Sequence, residues 1–157
     1  MRKGIDQDHL TFVEAGKAAE GAGVASIALH ARTASEFYSG HADWDAIGEL
    51  KSTISSVPVL GNGDIWTGSD ALEMMARTGA DGVVVGRGCL GRPWLFSQLT
   101  AAFAGEELPT EPRLGRVLQI LRRHAELLTL DYGEAKGCRD MRKHMSWYLK
   151  GFSVAHT

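Results

Sequence analysis

Hydrophobic and polar positions along the first two thirds of the chain follow two periods in turn. Short continuous apolar runs predict buried strands, at residues 26–31, 57–61 and 81–86. Apolar residues at helical spacing predict helices at residues 8–23, 44–54 and 69–78. Ser69 or Asp70 is the predicted cap of the last of these helices, and Gly79 its end. This alternation is typical of a parallel sheet covered on both faces by helices.

The pattern becomes wholly helical after Gly91. A short predicted helix runs to about Ala104, a proline-containing linker covers residues 105–112, and Gly133 separates two longer helices. We therefore predict an α/β region over residues 1–104 and a helical region over residues 112–157. The chain begins within what reads as the end of a strand and stops without a closing element, so we expect a piece of a longer protein.

Composition narrows the class of protein without naming a function. Of 157 residues, 44% are hydrophobic and 23% are charged, as in an ordinary soluble globular protein. The net charge of -2 excludes a globally basic nucleic-acid binder but allows a local basic patch. No apolar run reaches the roughly 18 residues of a membrane span, and no signal peptide is evident. Cys89 and Cys138 lie far apart and support neither a disulfide framework nor a metal site, so we expect a reducing cytoplasm.

Glycine and polar residues follow two neighbouring predicted strands. The segment Gly61-Asn62-Gly63-Asp64 ends the second strand, and Gly86-Arg87-Gly88 ends the third. Ligands of parallel α/β folds bind at the carboxyl ends of strands, where exposed backbone N–H groups can hold an anion. Arg87 can add a bidentate contact to a phosphate. Either turn alone is more simply an ordinary strand–helix turn, whereas the pair favours a phosphate site.

Other candidate residues near these turns are more ambiguous. His30 ends the first strand; a histidine there is as often a packed core residue as a functional one, but Arg32 two residues later favours a cofactor role. The segment 86–91 also matches the Gly-x-Gly-x-x-Gly dinucleotide fingerprint. We treat this match as accidental, because the acid expected about 20 residues later falls in a linker rather than at a strand end. Cys89 is more simply a packing residue than a nucleophile.

The last predicted helix and its end carry an excess of positive charge. One acid, Asp140, is accompanied by five basic residues: Lys136, Arg139, Arg142, Lys143 and Lys150. Three of the five share one face by their spacing, with Arg142 and His144 at its margin. Such a face suits a phosphate backbone, and a solvated helix surface explains it equally well.

Six segments taken together resemble the tRNA-dihydrouridine synthase family, in particular its bacterial B-type branch. They are Met1-Arg2-Lys3-Gly4, Leu29-His30-Ala31-Arg32-Thr33, Asn62-Gly63-Asp64, Val85-Gly86-Arg87-Gly88, Gly91-Arg92-Pro93-Trp94-Leu95-Phe96 and Arg142-Lys143-His144-Met145-Ser146-Trp147-Tyr148-Leu149. The resemblance covers almost the whole chain, and the last two segments are the most specific.

The resemblance implies a fold and a reaction. Members of this family have an FMN-binding (β/α)8 TIM barrel followed by a helical domain that grips tRNA; the chain would run from the end of strand five through strand eight and into that domain. In the family, NADPH reduces FMN, the reduced flavin gives hydride to C6 of a uridine, and a cysteine gives a proton to C5. The implied cofactor-binding residues are His30, Asn62, Gly63, Asp64, Gly86 and Arg87. The implied tRNA-binding residues are Arg32, Lys136, Arg139, Arg142, Lys143 and His144.

The chain also departs from the family pattern. The catalytic cysteine and the flavin-contacting lysine of the family would both precede Met1, and neither Cys89, Cys138 nor Lys3 matches them. Cys138 also replaces an expected aromatic residue. We therefore expect the chain alone to be inactive, and an open sheet predicts poor solubility or self-association. Two alternatives remain: another FMN- or phosphate-binding barrel enzyme, and a non-catalytic RNA-binding fragment.

Overall fold

A computed structural model describes residues 1–152. Its centre is a parallel three-stranded sheet in the order β1 (Ile27–His30), β2 (Val59–Asn62) and β3 (Gly82–Val84). His30 is in register with Asn62, and Asn62 with Val84. The carboxyl ends of all three strands therefore lie at the same edge of the sheet. The predicted α/β class is confirmed, and the small parallel sheet is compatible with part of a barrel.

The first residues of the chain run beside β1. Arg2 forms a parallel bridge with His30, and the His30 N–H donates to the Met1 carbonyl at 2.9 Å. The Lys3 N–H donates to the Arg32 carbonyl at 3.2 Å. The predicted strand end thus appears as an isolated bridge in the direction of the sheet.

Three helices cover the sheet and bury its apolar residues. They are α1 (Phe12–Gly21), α2 (Trp44–Thr53) and α3 (Gly68–Thr78). Leu29 and Val59 from the strands and Ile47, Leu50 and Met74 from the helices are fully buried in one cluster. Burying such a side chain contributes about 1.5–3 kcal/mol, so this cluster is the main reason that the sheet has a defined position.

The cap of α3 differs from the prediction. Neither Ser69 nor Asp70 is the capping residue; Thr67 is. The Thr67 hydroxyl accepts from the Asp70 N–H at 3.2 Å, and the Asp70 carboxylate accepts from the Thr67 N–H at 2.9 Å. The sequence Thr67-Gly-Ser-Asp70 is therefore a capping box, in which the carboxylate at the third helical position accepts a hydrogen bond from the N–H of the capping residue.

The remaining helices are α4 (Leu95–Ala104), α5 (Leu114–Tyr132) and α6 (Glu134–Tyr148). Helices α5 and α6 form a hairpin around Val117, Met141 and Tyr148. They approach closely at Gly137, where an added Cβ would lie 2.7 Å from the Thr129 nitrogen. No helix within residues 1–152 is long and apolar enough to cross a membrane.

Two contacts fasten the hairpin to the sheet region. The Glu111 carboxylate, just before α5, accepts from Arg92 and from the Trp94 indole, both at 2.6 Å. Gly91 lies against the backbone of α6, since a Cβ there would be 2.3 Å from the carbonyl carbon of Trp147. The loop after β3 and the linker before α5 therefore hold the two regions together.

Candidate functional site

The two glycine-containing turns meet in one cleft of about 110 Å³ at the carboxyl edge of the sheet. Its lining comes from the ends of β1, β2 and β3 and from the segments that follow them: His30, Arg32, Tyr38, Asn62, Gly63, Asp64, Ile65, Trp66, Val84, Gly86, Arg87 and Gly88. The cleft brings together every residue that the sequence predicted to bind a cofactor. Arg32, which was predicted to contact tRNA, lines the same cleft.

Close backbone packing explains two of the glycines. Gly63 has a φ of +137°, and an added Cβ would lie 2.6 Å from the Cβ of Ala42. A Cβ on Gly88 would lie 2.1 Å from the Ile65 carbonyl oxygen. Only glycine fits at these positions, because a side chain on Gly63 would clash with the loop before α2 and one on Gly88 would push the two turns apart.

Gly86 is different, because the chain itself leaves the space beside it open. A Cβ added there would meet no atom within 4 Å. Gly86 precedes a short 3₁₀ turn, Arg87–Cys89. Within residues 1–152, the N–H groups of Gly86, Arg87 and Gly88 donate to no carbonyl or side chain. Open space beside successive free amides is the arrangement that an anion requires.

Charge in the cleft is centred on Asp64. The Asp64 carboxylate accepts from Arg32 at 2.7 Å, from Arg87 at 3.1 Å and from the Ala42 N–H at 2.7 Å. Burial is the largest single influence on the pKa of Asp64 and raises it, but the Ala42 hydrogen bond and the two arginines together lower the pKa below its ordinary value. Two arginines on one carboxylate leave positive charge in excess.

Two aromatic residues that the sequence did not single out hold the Arg87 side chain. The guanidinium carbon lies 4.6 Å from the centre of the Tyr38 ring and 5.5 Å from that of Trp66. Both rings are partly exposed. Both lie in loops outside any periodic segment, so no sequence pattern could have assigned them to this cleft.

His30 contributes a polar atom without a partner. Its Nδ1 is buried and makes no hydrogen bond to any of residues 1–152. Burial is the main cause that lowers the pKa of His30, and the charges of Arg2, Arg32 and Arg87 lower it further. The imidazole is therefore neutral at pH 7 and can donate or accept a hydrogen bond in the cleft.

Arg32 is almost wholly buried. The residue is 1% exposed, and its Nη2 donates to Asp64 and to the Gly40 carbonyl. Its Nη1 is buried and has no hydrogen-bond partner in the part of the chain that the structure describes. The sequence could not show this burial, because the residues that enclose Arg32 are separated from it by up to 32 positions.

The predicted tRNA-binding residues of α6 differ in their surroundings. Arg139, Arg142 and Lys143 are exposed and make no ion pair within residues 1–152, whereas Lys136 pairs with Asp140 at 3.0 Å. His144 instead faces α5, with its ring 4.7 Å from that of His124. A surface of three unpaired cations is therefore present on α6, and we refer to Arg139, Arg142 and Lys143 as the basic surface.

A groove of about 520 Å³ lies between α5, His144 of α6 and the loop after β3. Two exposed arginines of α5 line it, Arg116 and Arg123. Sequence reasoning missed these two arginines, although their spacing of seven positions, about two helical turns, places them on one face of α5.

Neither cysteine belongs to the cleft. The Cys89 thiol donates to the Gly86 carbonyl at 3.0 Å, and Cys138 is exposed on α6. Among residues 1–152 no group of three or more histidine, cysteine, aspartate or glutamate side chains could hold a metal ion.

A glycine-lined, positively charged cleft at the carboxyl ends of parallel strands is typical of the ligand sites of parallel α/β proteins. Comparison with known proteins then gives the family. The family model described as dihydrouridine synthase (Dus) matches residues 1–157, and the chain belongs to that family.

Curated relatives support the same assignment. A probable tRNA-dihydrouridine synthase of Mycobacterium leprae is 60% identical over 152 residues, which are 97% of this chain and 40% of that protein. The corresponding protein of Rhizobium leguminosarum is 41% identical over 99% of this chain and 46% of its own length. The tRNA-dihydrouridine synthase B of Pasteurella multocida is 36% identical over 96% of this chain and 45% of its own length. The chain thus spans less than half the length of these relatives.

Proposed function

We propose that this chain provides the flavin-phosphate cleft and an RNA-binding surface of a cytoplasmic tRNA-dihydrouridine synthase. The reaction of such an enzyme reduces the C5=C6 bond of a uridine in tRNA, with FMN as cofactor and NADPH as reductant. The observation that carries the proposal is the meeting of the two glycine-containing turns in one cleft that has excess positive charge. Membership of the dihydrouridine synthase family supports it.

The residues present fit the phosphate end of FMN. Gly86 leaves open space, the N–H groups of residues 86–88 are free within the described chain, and Arg87 lines the same cleft. A cleft of about 110 Å³ is well below the roughly 300–1,000 Å³ of pockets that enclose a drug-sized ligand. This part of the protein would therefore hold the phosphate and leave most of the flavin outside the cleft described here.

When bound, FMN would supply the hydride chemistry, and the protein would bind and orient its ligands. The amides of residues 86–88 and the Arg87 guanidinium would hold the phosphate. Asn62 donates its side-chain amide to the Val84 carbonyl, which ties the ends of β2 and β3 together beneath the ligand. Neutral His30, which lines the cleft, would lie beside the flavin.

The proton donor is not assigned to either thiol of this chain. Cys89 donates its thiol hydrogen to Gly86, and neither Cys89 nor Cys138 lines the cleft. A reaction that adds a hydride to one carbon and a proton to the next needs an acid within hydrogen-bond reach. We therefore expect the 157-residue chain to bind its ligands without reducing uridine.

The basic surface of α6 would contact the tRNA backbone. Three exposed cations without ion pairs can each neutralise a phosphate, and such contacts give affinity that falls with salt. The hairpin presents these residues on a rigid helix, so they would position the RNA rather than read its sequence.

The test of the cofactor proposal is a flavin titration of the purified chain, followed by flavin fluorescence. We expect Arg87→Ala to weaken FMN binding at least about tenfold, since a charge-assisted contact to phosphate is lost. Arg77→Ala is the matched control, because Arg77 also pairs with an aspartate and lies over an aromatic ring, Trp44, but outside the cleft.

The same protein is then mixed with tRNA at several salt concentrations. FMN binding that depends on Arg87, together with salt-dependent tRNA binding, supports the proposal. Binding of tRNA without any flavin retention contradicts the cofactor part and favours a non-catalytic RNA-binding role instead.

A further inference from the structure

Arg32 ties three parts of the cleft together from inside. Its Nε donates to the Ser39 carbonyl at 3.0 Å, and its Nη2 donates to the Gly40 carbonyl at 2.8 Å. The same Nη2 lies 2.7 Å from an Asp64 carboxylate oxygen. A guanidinium that is only 1% exposed requires such compensation, since an unpaired buried charge is very costly. Arg32 thereby links the end of β1 to the loop before α2 and to the turn after β2.

Asp64 is held in an unusual backbone conformation by its side-chain bonds. Its φ is +54°, in the left-handed region that non-glycine residues rarely adopt. The Arg32 guanidinium and the Ala42 N–H both donate to its carboxylate. These bonds fix where the carboxylate lies relative to the turn, and strain of this kind persists only where the surroundings enforce it.

Arg87 depends on Asp64 for its orientation. Within residues 1–152, its guanidinium donates a single hydrogen bond, from Nη2 to Asp64 at 3.1 Å. The rings of Tyr38 and Trp66 lie near the guanidinium and limit its tilt, but a ring face does not fix rotation within the guanidinium plane. Asp64 fixes that rotation and leaves the other N–H groups of Arg87 available.

We propose that Arg32 and Asp64 are positioning residues, which orient Arg87 toward the phosphate of the flavin. Arg32 sets the position of the Asp64 carboxylate, and Asp64 sets the rotation of the Arg87 guanidinium. Arg32 itself lines the same cleft, and its buried Nη1 has no hydrogen-bond partner among residues 1–152. The inference rests on the proposed function, because it assumes that the ligand of Arg87 is the FMN phosphate.

The test compares FMN with riboflavin, which lacks the phosphate. Asp64→Asn keeps an oxygen for the Ala42 N–H but removes the charge that holds Arg87. We expect FMN binding to weaken about tenfold and riboflavin binding to change less than about twofold. Asp45→Asn is the control, since Asp45 pairs with an arginine on the exposed surface.

A purely structural role for Asp64 predicts a different result. It would weaken FMN and riboflavin binding by the same factor, and that outcome overturns the inference. Combining Asp64→Asn with Arg87→Ala gives a second criterion. The double variant should bind FMN no more weakly than Arg87→Ala alone, and losses that multiply contradict the proposed dependence.

A ligand-free measurement separates this inference from the proposed function. Nitrogen-15 NMR relaxation follows the swing of the Arg87 Nε–H bond within the guanidinium plane, with the signal assigned by its loss in Arg87→Ala. The order parameter of this bond should fall clearly in Asp64→Asn and in Arg32→Lys. An unchanged order parameter overturns the positioning role. Unchanged FMN affinity in Arg87→Ala would instead refute the phosphate contact alone.

Discussion

The Nζ of Lys3 lies 2.7 Å from the Asp43 carboxylate, although the two residues are 40 positions apart. Lys3 is only 2% exposed, and the Asp43 carboxylate compensates its charge by a direct ion pair. The same Asp43 carboxylate accepts from the Ala46 N–H at 3.4 Å and caps α2. One side chain therefore anchors the start of the chain and begins the helix that covers the sheet.

Asp43→Asn should destabilise the fold by about 2 kcal/mol, because a buried ammonium loses its counter-charge. Burial raises the pKa of the Asp43 carboxyl, but the hydrogen bond and charge of Lys3 outweigh it, and the pKa lies below its ordinary value of 3.8. The contribution is thus complete above pH 3.8 and lost as the pH falls through the pKa of the folded state. Urea unfolding at pH 7 and near pH 3 measures it. The difference between the two proteins should shrink at the lower pH; a constant difference contradicts this account.

Substitution of glycine by alanine should have opposite effects at two sites. Gly91→Ala should cost at least about 3 kcal/mol, because the residue has a φ of +70° and its Cβ would overlap the backbone of Trp147. Gly115→Ala, near the start of α5, meets no atom within 4 Å and should stabilise the protein by about 0.5 kcal/mol. Thermal unfolding of the two variants beside the unmodified chain tests both signs, and destabilisation by Gly115→Ala would refute the second.

Acid should weaken the α5–α6 hairpin through His144. Burial is the first cause of its lowered pKa, and the nearby charges of His124 and Lys143 lower it further. Since the unfolded chain binds the proton more readily, stability should begin to fall as the pH drops below about 6.5 and stop changing below the folded pKa. His144→Gln should reduce this dependence in melting curves at pH 7.5 and 5.5. His41→Gln, in an exposed loop, is the control and should leave the dependence unchanged.

Removal of a cation from the basic surface should weaken tRNA binding in a salt-dependent manner. For Arg142→Ala we expect the slope of log affinity against log salt to fall by roughly one, the value for one lost phosphate contact. Filter binding at four salt concentrations measures the slope. Lys17→Ala removes an exposed cation from α1 and should leave the slope unchanged. Equal slopes for the unmodified chain, Arg142→Ala and Lys17→Ala would refute a role for the basic surface.

The meeting of the two turns could be predicted because it follows from local rules. Parallel strands end at one edge, so residues after β2 and β3 had to be neighbours, and the cleft that contains Asn62 and Arg87 confirms this. Helix periodicity likewise located α5 and α6. The cap of α3 was missed because Thr67, Ser69 and Asp70 are all good capping residues, and only the geometry of the entering chain selects Thr67.

The burial of Arg32 and Lys3 could not be predicted, because it depends on contacts between distant positions. Arginine and lysine are rarely buried without a partner, and the partners here are Asp64 and Asp43. No periodic pattern connects such pairs. The prediction that Arg32 binds tRNA came from the family resemblance, which says nothing about how deeply the residue is buried.

The clamp of Glu111 on Arg92 and Trp94 has a geometric consequence. Together with the packing of Gly91 on α6, it makes the step between the sheet and the hairpin stiff rather than hinged. The distance between the cleft and the basic surface is then fixed by the fold. A partner that engages both ends must already possess a matching separation between its contact points.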